Sequence, residues 1–195
     1  MGVGYSCVDM ICMVEDFPVE DSSTHITSRV VQGGGAVATA LVAASRLGTK
    51  CAFIGNIGND IMSDETIRMF QSDGVCTDYM VRRDDCYGLE SIVMVNPANG
   101  SRTKFPQRDY NPPISWDDRL VSVIEGCNVL HLDGTHYENA VNAARIAKDC
   151  GVLVSLDGCS MQHDNEKNKI LATMADILIM NSKYPLKVSG KDTFD

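Results

Sequence analysis

Three consecutive glycines, Gly33, Gly34 and Gly35, stand before a run of small residues in QGGGAVATALVAASRLG. Glycine lets the backbone approach a ligand closely, and the unpaired amides at the start of a following helix point in the same direction. Together they would form a binding site for hydroxyl groups or anions. The alternative left open by this pattern is a tight turn that only packs a helix against a sheet.

Acidic and amide side chains stand at several predicted strand ends. Asp9 interrupts the apolar run at 3–14, and a carboxylate inside a buried strand needs a partner. Three apolar segments, 129–133, 152–157 and 176–181, end in Asp133, Asp157 and Asn181. Ligands of parallel sheets bind beyond the carboxyl ends of the strands, so these side chains are candidate site residues. The alternatives are a solvated edge position for Asp9 and a turn or cap role for Asp133.

The elements that would position these residues alternate between strands and helices from residue 128 onward. Helices are predicted at 137–148 and 166–174, and this order is typical of right-handed βαβ units in a parallel sheet. The earlier half predicts, in order, a strand at 24–32, a helix that ends at Gly48, a strand at 51–57, a helix at 63–72, and strands at 88–95 and 102–106. Asn99 and Gly100 predict a hairpin between the last two strands. The predicted fold class is α/β, with a mostly parallel central sheet and a smaller second sheet.

Charge and cysteine usage exclude several classes of protein. The chain has 17 Lys and Arg residues against 26 Asp and Glu, a net charge of −9, which argues against nucleic acid as a partner. No apolar run reaches the roughly 18–20 residues that span a membrane, so no membrane partner is expected. The eight cysteines form no Cys-x-x-Cys pair, and the four histidines show no ligand spacing with them, so no metal site is predicted. The cysteines are interpreted as reduced thiols of a cytoplasmic protein.

The glycine region resembles the first signature of the PfkB, or ribokinase-like, carbohydrate kinase family. That signature has two glycines, a short helix of small residues, an Arg-Leu-Gly end and a strand leading to Gly-x-x-Gly-x-Asp. Here these are Gly33-Gly34, residues 36–45, Arg46-Leu47-Gly48 and residues 55–60. The resemblance extends from residue 3 to residue 181 and implies that 1–195 is one ribokinase-like domain, a three-layer sandwich. It also implies that inserted strands at about 10–32 and 86–109 form a lid over the substrate, through which two copies pair as a homodimer.

The resemblance implies ATP-dependent phosphorylation, with Mg²⁺, of a hydroxyl on a sugar or sugar derivative. Asp9, the backbone of Gly33, Gly34 and Gly35, and Asp133 would hold the sugar. Ala38 departs from the family, in which many members have an asparagine on the first helical turn to hold a sugar hydroxyl. Arg108 stands where relatives that use acidic sugars place a carboxylate-binding arginine, and a solvated lid arginine is its alternative.

The nucleotide side of the family is represented by one motif. Asn181 matches the first residue of the family's Asn-x-x-Glu motif, which orders Mg²⁺ and phosphate through water, so it is a candidate cofactor contact. Tyr184 stands in place of the glutamate. Asp157 begins a stretch in which Cys159 and Met161 depart from a pattern found in some sugar-acid kinases, and it is interpreted as structural.

The family's second signature, a Gly-Ala-Gly-Asp turn that carries the catalytic base, does not occur in the sequence. The segment after residue 181 is also interpreted as too short for the helix and strands that would cover the sheet edge. The chain is therefore predicted to be the N-terminal part of a longer kinase. Its base aspartate would lie beyond residue 195, so the 195 residues alone would carry no catalytic residue and no kinase activity.

Three other functions are alternatives to this prediction. One is a non-catalytic sugar-binding or regulatory module, and the second is a nucleoside kinase of the same fold. The third, a Rossmann dehydrogenase, is disfavoured because no acidic residue follows about 20 residues on at the end of a second strand.

Overall fold

A computed structural model describes residues 1–158 and 164–193 of the chain. Its strands, in chain order, are β1 (Gly2–Val3), β2 (Cys7–Val14), β3 (Ile26–Gly34), β4 (Cys51–Ile57), β5 (Val75–Cys76), β6 (Met80–Arg82), β7 (Glu90–Val95), β8 (Arg102–Pro106), β9 (Val129–Asp133), β10 (Leu153–Asp157) and β11 (Ile177–Ile179). Its helices are α1 (Ala36–Arg46), α2 (Ile61–Ser72), α3 (Asp118–Glu125), α4 (Tyr137–Asp149), α5 (Asn165–Met174) and α6 (Lys183–Ser189).

The central sheet has seven strands in the order β11-β10-β9-β1-β4-β5, and β6 pairs with the carboxyl-terminal part of β4. Every neighbouring pair in this sheet is parallel. The carboxyl ends of its strands therefore lie along one edge, and the longer strands are apolar runs, as parallel sheets require. The parallel sheet predicted from the βαβ pattern is confirmed.

Two apolar clusters lie on opposite faces of the central sheet. Ile54 and Leu130 belong to a cluster that α3, α4 and α5 complete. Phe53 belongs to the other, where its ring stacks on Phe70 of α2 with centroids 4.9 Å apart, beside Val37 of α1. Because adjacent strand residues point to opposite faces, Phe53 and Ile54 separate the two clusters. Helices thus cover both faces at the centre of the sheet.

The small sheet has four strands in the order β3-β2-β7-β8. β2 pairs with β3 antiparallel and with β7 parallel, and β7 pairs with β8 as an antiparallel hairpin. The hairpin tip contains Gly100 with φ 70°, and Asn96 N donates to Ser101 O at 3.0 Å. The hairpin predicted at Asn99 and Gly100 is therefore present.

Several elements differ from the sequence expectation. The apolar run at 3–14 is divided at residues 4–6, because the chain crosses there from the central to the small sheet. The amphipathic helix α3 was not predicted, although Asp117 caps it by accepting from Leu120 N at 2.8 Å. The short strands β5 and β6 were also missed, since two or three residues show no periodicity.

The segment after residue 181, expected to be too short for both a helix and further strands, forms a helix and, within the described residues, no strand. α6 forms over seven residues, and Pro185 is tolerated because it lies in the first turn. Gly190, with φ 70°, ends the helix in a left-handed cap. In the described ranges, none of the helices has the length and apolar character that a bilayer span requires.

Candidate functional site

Residues 4–6 bring the two sheets together at the carboxyl edge of the central sheet. Asp133, at the end of β9, fixes this crossing: its Oδ2 accepts from Tyr5 N at 3.0 Å and its Oδ1 from Thr135 N at 2.9 Å. The carboxylate is fully buried, and a Cβ added at Gly4 would collide with it. Asp133 therefore positions the strand that leads to Asp9, and the sugar contact implied for it stays a prediction.

Asp9 of β2 and Gly34 of β3 are diagonal neighbours in the small sheet, and the Asp9 side chain lies over Gly34. A Cβ on Gly34 would collide with the Asp9 carboxylate, so only glycine leaves room for that side chain. Cys7 Sγ donates to Asp9 Oδ1 at 3.3 Å and lies opposite Gly34 in the strand pairing. Two of the predicted site residues thus meet around one half-buried carboxylate, which can accept hydrogen bonds from hydroxyl groups.

Gly35 turns the chain from β3 into α1. Its φ of 105° is a conformation that other residues adopt only with strain, and a Cβ added there would collide with the backbone carbonyl of Tyr5. The helix begins at Ala36 without a side-chain cap, and it has no acidic residue in its first turn. The first amides of α1 therefore receive no capping side chain, and the hydroxyl or anion site expected there stays a prediction.

Tyr5 and Cys7 add two neutral donors beside Asp9. Burial, with the nearby Cys7, Asp109 and Asp9, holds the pKa of the Tyr5 hydroxyl well above its usual value. Burial and Asp9 raise the pKa of the Cys7 thiol to about 12. Both groups therefore stay protonated at neutral pH and can donate hydrogen bonds.

His136 and Asp109 enclose the other side of Tyr5. The His136 ring stacks on the Tyr5 ring with centroids 6.3 Å apart. His136 Nε2 lies 3.1 Å from Asp109 Oδ2, without the angle of a hydrogen bond, so the contact is electrostatic when the imidazole is protonated. These two residues come from the loops after β8 and β9, and nothing in the sequence links them.

Sequence reasoning missed Tyr5, Cys7, His136 and Asp109. A signal existed for the first two, because Tyr5, Cys7 and Asp9 alternate along one extended segment and so share a face. A reading of 3–14 as one continuous strand hides this shared face, because the chain crosses between the two sheets at residues 4–6.

Ala38 and Gly33 border a cavity of about 390 Å³ between β3, α1 and α2. Ala38 is buried in the apolar cluster beneath, whereas Thr39, next along, is exposed and also lines the cavity. A Cβ added at Gly33 would lie 3.7 Å from Met69 Sδ of α2, which is an ordinary contact distance. Thr39 thus places a hydroxyl group on the first turn of α1, beside the cavity. Sequence reasoning missed it because the comparison with the family concerned Ala38, the preceding residue.

Arg108 lies on the surface of the segment that follows β8. Its guanidinium is 5.4 Å from the centroid of the Tyr110 ring, a cation–π contact. Its carbonyl accepts from the Tyr87 hydroxyl at 2.8 Å. Within the described ranges Arg108 forms no ion pair, and its proposed role with an acidic sugar stays a prediction.

The nucleotide-side candidate, Asn181, caps α6. Its Oδ1 accepts from Lys183 N at 2.9 Å and Tyr184 N at 3.3 Å, and the buried Tyr184 hydroxyl donates to Asn168 O at 3.2 Å. In the part of the chain that the structure describes, no three acidic, histidine or cysteine side chains cluster as metal ligands would. The Mg²⁺ and phosphate contact implied for Asn181 stays a prediction. Asp157 pairs in register with Asp133 in β9, while Cys159 and Met161 lie outside the described residues.

The two-sheet architecture and the glycine turn define a ribokinase-like fold. The structure matches that of Arabidopsis thaliana ribokinase, complexed with ribose and ATP, with a TM-score of 0.80, 21% sequence identity, and coverage of 99% of this chain and 64% of that chain. The family model for pfkB family carbohydrate kinases matches residues 1–186. The chain therefore belongs to the pfkB family of carbohydrate kinases.

Curated relatives include sugar kinases and, from Methanothermobacter thermautotrophicus, a nucleoside kinase. Mouse ketohexokinase is 27% identical over 139 residues, which are 71% of this chain and 47% of that protein. Deoxyribokinase of Salmonella typhi is 27% identical over 158 residues, 80% of this chain and 51% of that protein. The chain thus spans about half the length of these relatives.

Proposed function

We propose that the chain forms the sugar-binding half of a kinase that transfers a phosphoryl group from ATP to a hydroxyl of a sugar. The observation that supports this most directly is the meeting of Asp9 with Gly34 beside the uncapped start of α1. Asp9 would accept hydrogen bonds from sugar hydroxyls, and the amides after Gly35 would donate to sugar oxygens. ATP supplies the phosphoryl group when bound, and this chain's residues hold and orient the acceptor.

Thermal unfolding in the presence of sugars tests the proposal. A ligand at a concentration 100 times its Kd stabilises the folded state by about 2.7 kcal/mol, which raises Tm by roughly 5–11 °C for a chain of this size. We would use D-fructose, 2-deoxy-D-ribose and D-ribose, which the names of the relatives suggest. We expect Asp9→Asn to weaken binding by about tenfold or more, because a charge-assisted hydrogen bond is lost.

Asp16→Asn is the matched control, since Asp16 is an exposed carboxylate beyond the end of β2. It should leave the sugar-dependent shift unchanged. The proposal fails if none of the sugars raises Tm, or if the two substitutions reduce the shift equally.

The catalytic base is proposed to lie outside residues 1–195, so this chain alone should bind a sugar without phosphorylating it. A coupled assay for ADP release, run on the 195-residue chain with each stabilising sugar, checks this. ADP release that depends on the sugar would contradict the proposal. If the chain binds a sugar and the native gene product has no kinase activity either, the non-catalytic binding module is favoured instead.

A homodimer through the small sheet is also proposed. Val31, Met10, Ile92 and Phe105 are in register across its four strands and form one row, and the row is exposed except at the half-buried Met10. An apolar row on a sheet surface is typical of an interface between subunits. In sedimentation, Phe105→Glu should dissociate the dimer. Phe17→Glu is the control and should not, because Phe17 is an exposed aromatic residue in the loop after β2, outside the row. A parent chain that sediments as a monomer would refute the pairing.

The cytoplasmic location also stays a proposal. It is supported by the cysteines in the described ranges, which are free thiols. Free thiols are typical of reducing compartments. Cys159 lies outside the described residues.

A further inference from the structure

The segment that follows β8 turns a carboxylate, rather than a guanidinium, toward the interior of the candidate site. Arg108 and Tyr110 are exposed and contact each other on the surface. Asp109, between them, lies against His136, and only 18% of its side chain is exposed. Asn111 N donates to Asp109 Oδ1 at 2.8 Å and holds the carboxylate in this direction. The charge that this segment brings to the site is therefore negative.

Asp109 carries its charge beside Tyr5. Its Oδ2 is buried and has no hydrogen-bond partner among the described residues, although it lies 3.1 Å from His136 Nε2. The His136 ring in turn stacks on the Tyr5 ring. Besides burial and Cys7, both Asp109 and Asp9 raise the pKa of the Tyr5 hydroxyl. The electrostatic fields of the two carboxylates therefore overlap at Tyr5.

The other charged groups near Tyr5 leave the site negative. Asp9 is a second carboxylate, and the buried Asp133, which accepts from Tyr5 N, is a third. Burial and Asp9 raise the pKa of the Cys7 thiol to about 12, and the opposing effect of Lys104 on β8 is smaller. Water screens charges weakly in a half-buried site, so this negative field acts on any ligand group beside Asp9.

We propose that Asp109 is a specificity-determining residue, which makes the site beside Asp9 select uncharged sugars over sugars that carry a carboxylate. The inference rests on the proposed sugar site at Asp9. Because Asp109 Oδ2 is buried, the residue acts through the field that it adds around Asp9 and Tyr5, and not by touching the sugar. This role competes with the one predicted for Arg108, since the two side chains would have opposite effects on an acidic sugar.

The test compares sugars that differ in charge. Titration calorimetry of the 195-residue chain would measure Kd for D-fructose and D-fructuronate, and for D-ribose and D-riburonate. In each pair a carboxylate replaces the terminal hydroxymethyl group. We expect the parent chain to bind the uncharged member about tenfold or more tightly than the anionic one.

Asp109→Asn isolates the contribution of Asp109 to that ratio. It should reduce the ratio by about fivefold or more, mainly by strengthening the binding of the anionic sugar. The asparagine Oδ1 can still accept from Asn111 N, so the segment keeps its direction. A merely structural effect would change both members of a pair equally and leave the ratio unchanged. Asp109→Ser, a smaller neutral residue, provides a second variant if the first does not fold.

Asp16→Asn is the matched control, because it removes the same charge from an exposed position. It should leave the ratio unchanged. Raising the salt concentration from about 0.05 M to about 0.5 M should reduce the ratio of the parent chain more than that of Asp109→Asn, since a charge is being screened.

The inference is overturned if Asp109→Asn leaves the ratio unchanged, or if Asp16→Asn reduces it equally. It is also overturned if the anionic sugars bind as tightly as the uncharged ones, or if Arg108→Ala weakens the anionic sugars alone. In these cases the proposed sugar site stands. If no member of either pair binds, the inference and the proposed function both fail.

Discussion

Gly35 offers a direct test of how the glycine turn is built. Its φ of 105° and ψ of 141° lie in a region that other residues occupy at a cost of about 1–3 kcal/mol. A Cβ there would also meet the Tyr5 carbonyl and Ser6 Cα, which are backbone atoms and cannot rotate away. Overpacking of this kind adds about 1–3 kcal/mol. We therefore expect Gly35→Ala to lower the free energy of unfolding by about 2–6 kcal/mol.

Gly48→Ala is the matched control for that substitution. Gly48 also has a positive φ, 93°, but nothing lies within 4 Å of its hypothetical Cβ. Gly48→Ala should therefore lower the free energy of unfolding only by the conformational penalty of about 1–2 kcal/mol. Urea unfolding of both variants and the parent measures the difference. If Gly35→Ala is no more destabilising than Gly48→Ala, the close approach of the turn to Tyr5 does not constrain the site.

Two further predictions concern buried or capping carboxylates. Asp133→Asn puts an amide N–H₂ against the backbone N–H of Tyr5 or Thr135, and should lower the free energy of unfolding by about 1–3 kcal/mol without any sugar; unchanged stability in urea would refute the positioning role. At Asp60, burial alone would raise the pKa, but hydrogen bonds from Ser63 and Gly88 lower it below its usual value. Its stabilisation is therefore complete above pH about 4 and is lost as the pH falls through the folded-state pKa. Asp60→Asn should flatten the acid side of the stability curve from urea unfolding, and an unchanged acid dependence would contradict this.

The sequence predicted the central sheet well because its signals are local. Strands 51–57 and 129–133 were predicted with the bounds that the structure shows, since a short apolar run with turn residues on both sides is too short for a typical helix. The hairpin at 88–106 followed from Asn99 and Gly100. Short elements such as β6 were missed because they exist only through pairing with β4.

The candidate site was harder to predict because it is assembled over long sequence distances. Asp9 and Gly34 could be found from one motif, but Asp109 and His136 reach Tyr5 only through the folding of two separate loops. Asp133 shows a second limit of sequence reasoning. A carboxylate at a strand end can bind a ligand or fix a neighbouring strand, and only the structure shows its bonds to Tyr5 and Thr135.

The second half of the family signature has its own structural explanation. Gly58 leaves no room for a Cβ beside the Cys86 carbonyl, and Asp60 Oδ2 accepts from Gly88 N at 3.0 Å. The same carboxylate caps α2 through Ser63 N at 2.9 Å. The end of β4 is thereby tied to the chain where it enters β7 of the small sheet.

The small sheet is therefore joined to the core at more than one point. Asp60 holds the approach to β7, and Asp133 holds the approach to β2 through Tyr5. Tyr87 and Asn111 add a third point, because Tyr87 N donates to Asn111 Oδ1 and Asn111 Nδ2 donates to Tyr87 O, each at 2.9 Å. All four of these bonds engage backbone groups, so they fix the orientation of the strands rather than of single side chains. The glycine and aspartate positions of the signature thus serve two purposes. The glycines at 33–35 leave room around the Asp9 carboxylate, and Gly58 and Asp60 hold the small sheet, which carries Asp9, against the central sheet.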